Sequence, residues 1–322
     1  MKEKQRIGSA FRNLKERFEL TGIILILLLI IVISTCLSDK FLKPVNIFNI
    51  LRQSSVTAVL AYSETLLIIM GCIDLSVGSI AALGGIFGIM VYASTGNMLL
   101  AVLAAILTGG AISFAASLFI AFLDVPPFIA TLASNLVVRG FVYVVTKGQP
   151  VVPESGFSNF GQGTFFGFLP YIVVAMFIVA IVIYIIMHHT THGRRIYAVG
   201  GNKEAANASG VNVGRVIIIT YIISGMLCGL AGIMTVSRVN SGMPTTALGY
   251  ETDAIAATVI GGTSFTGGVG NPWGTVIGAF IIGIIGNILN LMGVYSYVQD
   301  IFKGLIILMA VVIDLRGKRR KN

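Results

Sequence analysis

Of the 322 residues, 56% are hydrophobic and 11% are charged, where an ordinary globular protein has about a quarter charged. That is too little charge to coat a soluble domain of this size, and Leu75 to Leu123 and Ala254 to Gln299 contain no Asp, Glu, Lys or Arg at all. The net charge of +9 gathers in Lys2, Lys4, Arg6, Arg12, Lys15 and Arg17 and again in Arg316, Lys318, Arg319, Arg320 and Lys321; with no basic stripe among aromatics it excludes a nucleic-acid partner and reads as the cytoplasmic flanking charge of a membrane protein in contact with lipid headgroups.

Apolar windows follow in order at Leu20–Leu37, Val56–Ile73, Val77–Ala93, Leu99–Leu123, Phe128–Val145, Phe168–Met187, Val216–Val236, Ala254–Gly262, Trp273–Met292 and Val298–Ile313. A crossing needs about 20 residues, so the spacing predicts about ten spans, all helical because backbone amides find no water in hydrocarbon. The eighth window is short, and Asp300 and Lys303 interrupt the tenth. The first is too long for a signal peptide and lacks a small-x-small cleavage site, so it reads as a permanent span. The expected fold is therefore an all-α polytopic bundle with three parts: a basic segment 1–19, a membrane domain 20–315 and a basic tail 316–322. Ten crossings put both termini in the cytoplasm together with the polar stretch 188–215, which carries Arg194, Arg195, Lys203 and Arg215. Lys40, Lys43 and Arg52 would then lie outside, against the positive-inside bias, unless Val45–Arg52 forms a short interfacial helix.

Glycine pairs at Gly84/Gly88, Gly225/Gly229 and Gly274/Gly278 suit close helix packing inside one subunit or at a subunit interface. Each half of the chain also holds a break, Gly71-Cys-Ile-Asp-Leu-Ser-Val-Gly78 and Gly261-Gly-Thr-Ser-Phe-Thr-Gly-Gly-Val-Gly270. This loose two-part repeat is compatible with a solute path or with tight turns. Cys36, Cys72 and Cys228 read as packing residues. His188, His189 and His192 read as an interfacial cluster, since no acid or thiol joins them to make a metal site. No phosphate loop, dinucleotide fingerprint or catalytic triad occurs.

Charges at membrane depth are functional candidates. Glu64 and Arg139 either line a path or pair with one another. Asp74 and Asp253 precede apolar runs and suit helix capping. Ser76, Thr131 and Asn135 are polar groups on the same candidate path. The sharpest local signal lies in the 188–215 stretch. Gly193-Arg-Arg-Ile-Tyr-Ala-Val-Gly-Gly-Asn202 reads as a tight approach to a short helix, with Asn202 as N-cap, Glu204 in the first turn and Gly210 as a left-handed stop. On local physics it is either a handle for a soluble partner or an ordinary connection.

Glu204-Ala205-Ala206-x3-Gly210 resembles the cytoplasmic motif of ATP-binding-cassette importer permeases. Its flanks, the Gly71–Gly78 break, Thr131–Arg139, Gly249–Ala257 and Val259–Gly270 are similar to the ribose, xylose, arabinose and galactoside branch, over about Asp39 to Asp314. Cys72 stands where glycine is common in that branch. The resemblance implies a non-enzymatic permease subunit for a monosaccharide, a ribose-like pentose first, that pairs with a second copy or close relative. It further implies a cytoplasmic ATPase that uses ATP, so that this chain needs no cofactor or metal, and an extracytoplasmic sugar-binding protein. Arg194, Asn202, Glu204, Ala205, Ala206 and Gly210 would then couple to the ATPase. The competing expectation is an ion-coupled secondary transporter of a small polar solute, for which Glu64 is the isolated acid at depth.

Overall fold

The structure, a computed structural model, describes residues 2–153 and 156–319, with side chains for 20–153, 156–309, 311 and 312. The basic clusters at 2–17 and 316–321 therefore fall outside the described side chains. Thirteen helices occur among the described residues: α1 (Lys2–Leu37), α2 (Pro44–Ile69), α3 (Val77–Thr95), α4 (Met98–Phe122), α5 (Pro127–Thr146), α6 (Ser158–Gln162), α7 (Tyr171–His189), α8 (Thr191–Gly201), α9 (Lys203–Ala208), α10 (Val213–Val239), α11 (Tyr250–Ile260), α12 (Pro272–Leu291) and α13 (Ser296–Arg319). The one departure from an all-helical chain is a hairpin of two-residue strands, β1 (Thr164–Phe165) and β2 (Leu169–Pro170).

Each apolar window lies on a helix, yet only seven of the described helices are long and apolar enough to cross a bilayer unaided. Two of the other three fall short for visible reasons, while α13 runs on into residues outside the described side chains. Helix α2 carries Arg52, Gln53 and Glu64. Helix α11 has 11 residues, about 16 Å of rise, half a bilayer core. The expected interfacial helix at 45–52 is instead the first part of α2, which runs unbroken from Pro44 to Ile69. Proline at its first position explains the start, because the missing N–H would have no helical acceptor there.

Helices α3 and α10 are central and α5 peripheral: 67% and 61% of their apolar windows are buried, against 17% for α5. Close approach of α10 to α4 and α3 is set by glycine. A methyl on Gly225 would overlap the Gly109 carbonyl, and one on Gly229 the Ala105 carbonyl. Gly84 faces Gly229, and Gly274 and Gly278 meet Gly261 and Ala257 of the α11 segment. All three glycine pairs thus pack helices within one chain. Polar cross-links add to this: Asn46 of α2 and Asn287 of α12 exchange two amide bonds of 3.0 and 2.8 Å, and Thr65 of α2 bonds Thr275 of α12 at 2.8 Å. The outer faces are the reverse of a soluble protein's, with Leu25, Leu29 and Val32 of α1 and Leu136, Val137 and Val144 of α5 well exposed. Such a surface has to be covered by something apolar.

Candidate functional site

After α7 the chain leaves the bundle for 23 residues and re-enters at Val213. Thr190 caps α8 by accepting from the Gly193 N–H at 3.1 Å, so Gly193–Asn202, expected as a tight approach, is mostly helix. A kink at Asn202, whose φ of −163° is extended, separates α8 from α9. The Asn202 side chain accepts from the Ala205 N–H at 2.8 Å, Glu204 lies in the first turn, and Gly210 turns left-handed at φ 83°. Each local feature is therefore placed as the residue types require. Only Ala206 of α9 is buried; Glu204, Ala205, Asn207 and Ala208 are exposed, as are Arg194 and Gly210. The helix is a short knob pinned by one methyl group.

The pair α8–α9 is tied to three parts of the bundle. Ile196 and Val199 of α8 are buried in the main core. Gly200 lies so close to the Ile69 carbonyl at the end of α2 that no side chain fits there. That carbonyl also accepts the Gly268 N–H at 2.8 Å, and the Tyr197 hydroxyl donates to the Gly270 carbonyl at 2.9 Å. The two glycine-rich breaks therefore meet at one point beneath α8. On the other flank Lys203 stands 3.4 Å from Asp124 in the α4–α5 turn. An open cleft of about 480 Å³ between that turn and α9 is lined by Asp124, Lys203, Glu204, Asn207 and Asn212 among others.

The six candidate path residues divide into two groups. Glu64, Asp74, Ser76 and Thr131 are enclosed, none more than 1% exposed. Asp74 accepts from the Ser76 N–H at 2.7 Å and from its hydroxyl, which fixes the turn into α3. Thr131 donates to Pro127 O at 2.9 Å and accepts from the Leu75 N–H at 3.2 Å, tying α5 to the first break. Neither oxygen of Glu64 makes a well-formed hydrogen bond, and it does not pair with Arg139. Arg139 instead donates through Nη1 to Pro244 O at 3.0 Å and Thr246 O at 2.9 Å. The expected pairing fails because these carbonyls belong to a non-helical segment, 240–249, that folds against α5 and supplies the acceptors first.

Arg139 and Asn135 are only partly buried and stand beside an open face. Glu251, close enough to Arg139 to interact with its charge, shares this face with the exposed Thr252 at the start of α11. Next to them Lys303 of α13 lies 2.8 Å from Asp253 and 3.7 Å from Asp300. Asp253, expected as a cap, is thus an ion-pair partner within the first turn of α11. Three members of this face, Glu251, Thr252 and Lys303, were not among the candidates read from the sequence; the signal there was the charge of Lys303 and Asp300 inside an apolar window. Among the described residues no His, Cys, Asp and Glu cluster suits a metal. His188 stacks on Tyr184, while His192 bonds Thr220 on α10 at 3.1 Å. All three cysteines are free, Cys72 and Cys228 buried and Cys36 exposed.

The long apolar bundle with a capped, exposed knob at one end belongs in a membrane, and comparison with known proteins decides the family. Residues 46–311 match the family described as the branched-chain amino acid transport system/permease component. The chain belongs to this permease family. The ribose import permease protein RbsC of Escherichia coli (strain K12) is 45% identical over 303 residues, 92% of this chain and 93% of that one. RbsC of Bacillus subtilis (strain 168) is 41% identical over 89% and 90% of the two chains, and the D-allose transport system permease protein AlsC of E. coli (strain K12) 38% over 91% and 90%. No solved structure matches. The permease is a multi-pass protein of a prokaryotic inner membrane, a transport component of an ATP-binding-cassette importer.

Proposed function

We propose that this permease carries ribose or a related pentose inward, as one of two copies, powered by ATP that a separate cytoplasmic ATPase hydrolyses after an extracytoplasmic sugar-binding protein delivers the solute. Relatives named for ribose import align over about nine-tenths of both chains. The polar groups of the open face, Asn135, Arg139, Glu251 and Thr252, also suit hydroxyls better than a branched apolar side chain. The observation that carries the coupling role is α9, exposed except for Ala206 and rigid at both ends through the Asn202 cap and the Gly210 stop.

In this reading α9 sits in a cleft of the ATPase. Closure of the ATPase pulls on α8–α9, which passes the displacement to the end of α2, to 261–270 and to the α4–α5 turn. Helix α5, which carries Asn135 and Arg139, begins at that turn. ATP then favours one conformation of the permease over the other, which is all that coupling requires. Arg139, Glu251 and the Asp253–Lys303 pair lie within the membrane segments, where charges avoid lipid and face protein or a water-filled path. A second copy covering this face would supply both. The organisation we assign is a cytoplasmic segment 1–19, a membrane body 20–315 with the coupling loop 188–215, and a cytoplasmic tail 316–322. The eighth of ten crossings is made jointly by 240–249 and α11, which leaves both termini inside.

The coupling assignment is tested by Glu204→Lys and Gly210→Val. Valine cannot adopt φ near +80° without strain, and the lysine reverses the charge of the first turn. Each variant is expected to lose co-purification of the ATPase, or to keep it while uptake no longer follows hydrolysis. Normal uptake with the ATPase attached in both variants would defeat the assignment. Glu64 favours the alternative of ion coupling, since it is an enclosed acid with no well-formed hydrogen bond and no ion pair; Glu64→Gln would then abolish uptake, whereas ATP-driven uptake is expected to survive it.

A further inference from the structure

The segment between α5 and α7 carries a feature that the proposed transport role does not explain. Among its described residues, 156–170 contain no charged side chain. The hairpin pairs Thr164 with Pro170 and Phe165 with Leu169. Its tip presents three phenylalanines: Phe165 is 45% exposed, Phe166 91% and Phe168 66%. The turn is fixed by the Phe168 N–H donating to Phe165 O at 3.2 Å, with Phe166 at φ 51° and Gly167 at φ 78°. Two left-handed central residues are the type I′ arrangement, which favours Asn or Asp followed by Gly. A phenylalanine in the first of these positions is strained, and here it is also almost fully exposed. Both the conformation and the exposure disfavour this residue unless something outside the chain contacts the ring.

Position identifies the contact. The hairpin leads directly into α7, a span of 19 residues that rises about 28 Å and so nearly matches the roughly 30 Å hydrocarbon core. Tyr171, the first residue of α7, packs edge-on against Phe165 with ring centroids 4.4 Å apart. The tip thus stands at the end of the bundle opposite α8–α9, where the length of α7 would put the headgroups. Below it, Phe177, Ile178, Ile181 and Ile185 form the exposed outer face of α7, and the aromatic tip continues that lipid-facing surface. Aromatic rings collect at this depth, where an apolar body meets polar headgroups.

We infer that the Phe165–Phe168 tip is a membrane-interface anchor that inserts Phe166 and Phe168 among the lipids of the extracytoplasmic leaflet and holds the outer end of α7 in place. Trp273 is the single tryptophan, so a Trp273→Phe, Phe166→Trp variant gives one reporter. In nanodiscs made with phospholipids brominated on the upper acyl chain, its fluorescence is expected to fall sharply and to resist aqueous iodide. Quenching by iodide with no effect of bromine would place the ring in water and overturn the inference. Insensitivity to both would place it against protein and overturn it equally. Phe168→Trp in the same background repeats the measurement if the first variant does not fold. In detergent, Phe166→Asn should raise the melting temperature by relieving the turn, while lowering the temperature at which the protein unfolds in nanodiscs relative to the parent.

Discussion

Arg139 spends its guanidinium on two backbone carbonyls rather than on an acid. Those bonds, at 3.0 and 2.9 Å, hold 240–249 against α5, and charge-assisted bonds of this kind contribute about 1.5–3 kcal/mol each. Arg139→Met should therefore leave the helices folded and the ATPase bound while lowering uptake by about tenfold or more, the equivalent of one such bond; unchanged uptake would remove Arg139 from the path. His192 allows a prediction about pH. Its Nε2 faces a Thr220 hydroxyl that already donates to Val216 O, so the histidine must donate from Nε2 in its neutral form. Burial, and then the nearby Arg195, lower its pKa from 6.5. Above pH 6.5 the folded and unfolded chains are both neutral at this site; as pH falls through 6.5 toward the lower native value, only the unfolded chain takes up the proton, and stability is lost. The melting temperature in detergent should fall on acidification, and by less in His192→Gln.

At the scale of elements, the glycine contacts of α10 are the joints of the bundle. Gly225→Val drives a branched side chain into Gly109 O and Ser113, and overpacking of this kind costs about 1–3 kcal/mol; a clear drop in detergent melting temperature is expected, with a control at Gly214, where a methyl meets only ordinary contacts. The cap, first-turn acid and stop of α9 were legible in the sequence because each acts within one turn of itself. Helix α8 was read as an approach because its glycines at 193, 200 and 201 suggest a loop. Gly193 and Gly200 are there for contacts with the end of α7 and with Ile69, which no local pattern marks. The partners of Arg139 were illegible for a related reason. Backbone carbonyls carry no sequence signature, and the segment that supplies them lies over a hundred residues away.

Across the whole molecule, hydropathy marked all ten helices that carry apolar windows but could not say which of them cross alone. Helices α2, α11 and α13 are the ones whose polar residues face protein or the open face, and a length rule reads that polarity only as interruption. The same residues, Glu251, Asp253 and Lys303, bring charge to one side of the bundle. Charge at membrane depth needs water or protein around it; the second copy proposed above would supply the protein. In the proposed reading the ATPase is reached through the loop that joins α7 to α10. The most direct test is uptake of radiolabelled ribose into proteoliposomes holding the permease, its ATPase and its binding protein. The account predicts accumulation that requires ATP inside the compartment bearing α9, persists when an ionophore dissipates ion gradients, and disappears with Glu204→Lys. Uptake that survives without ATP and collapses with the ionophore would contradict it.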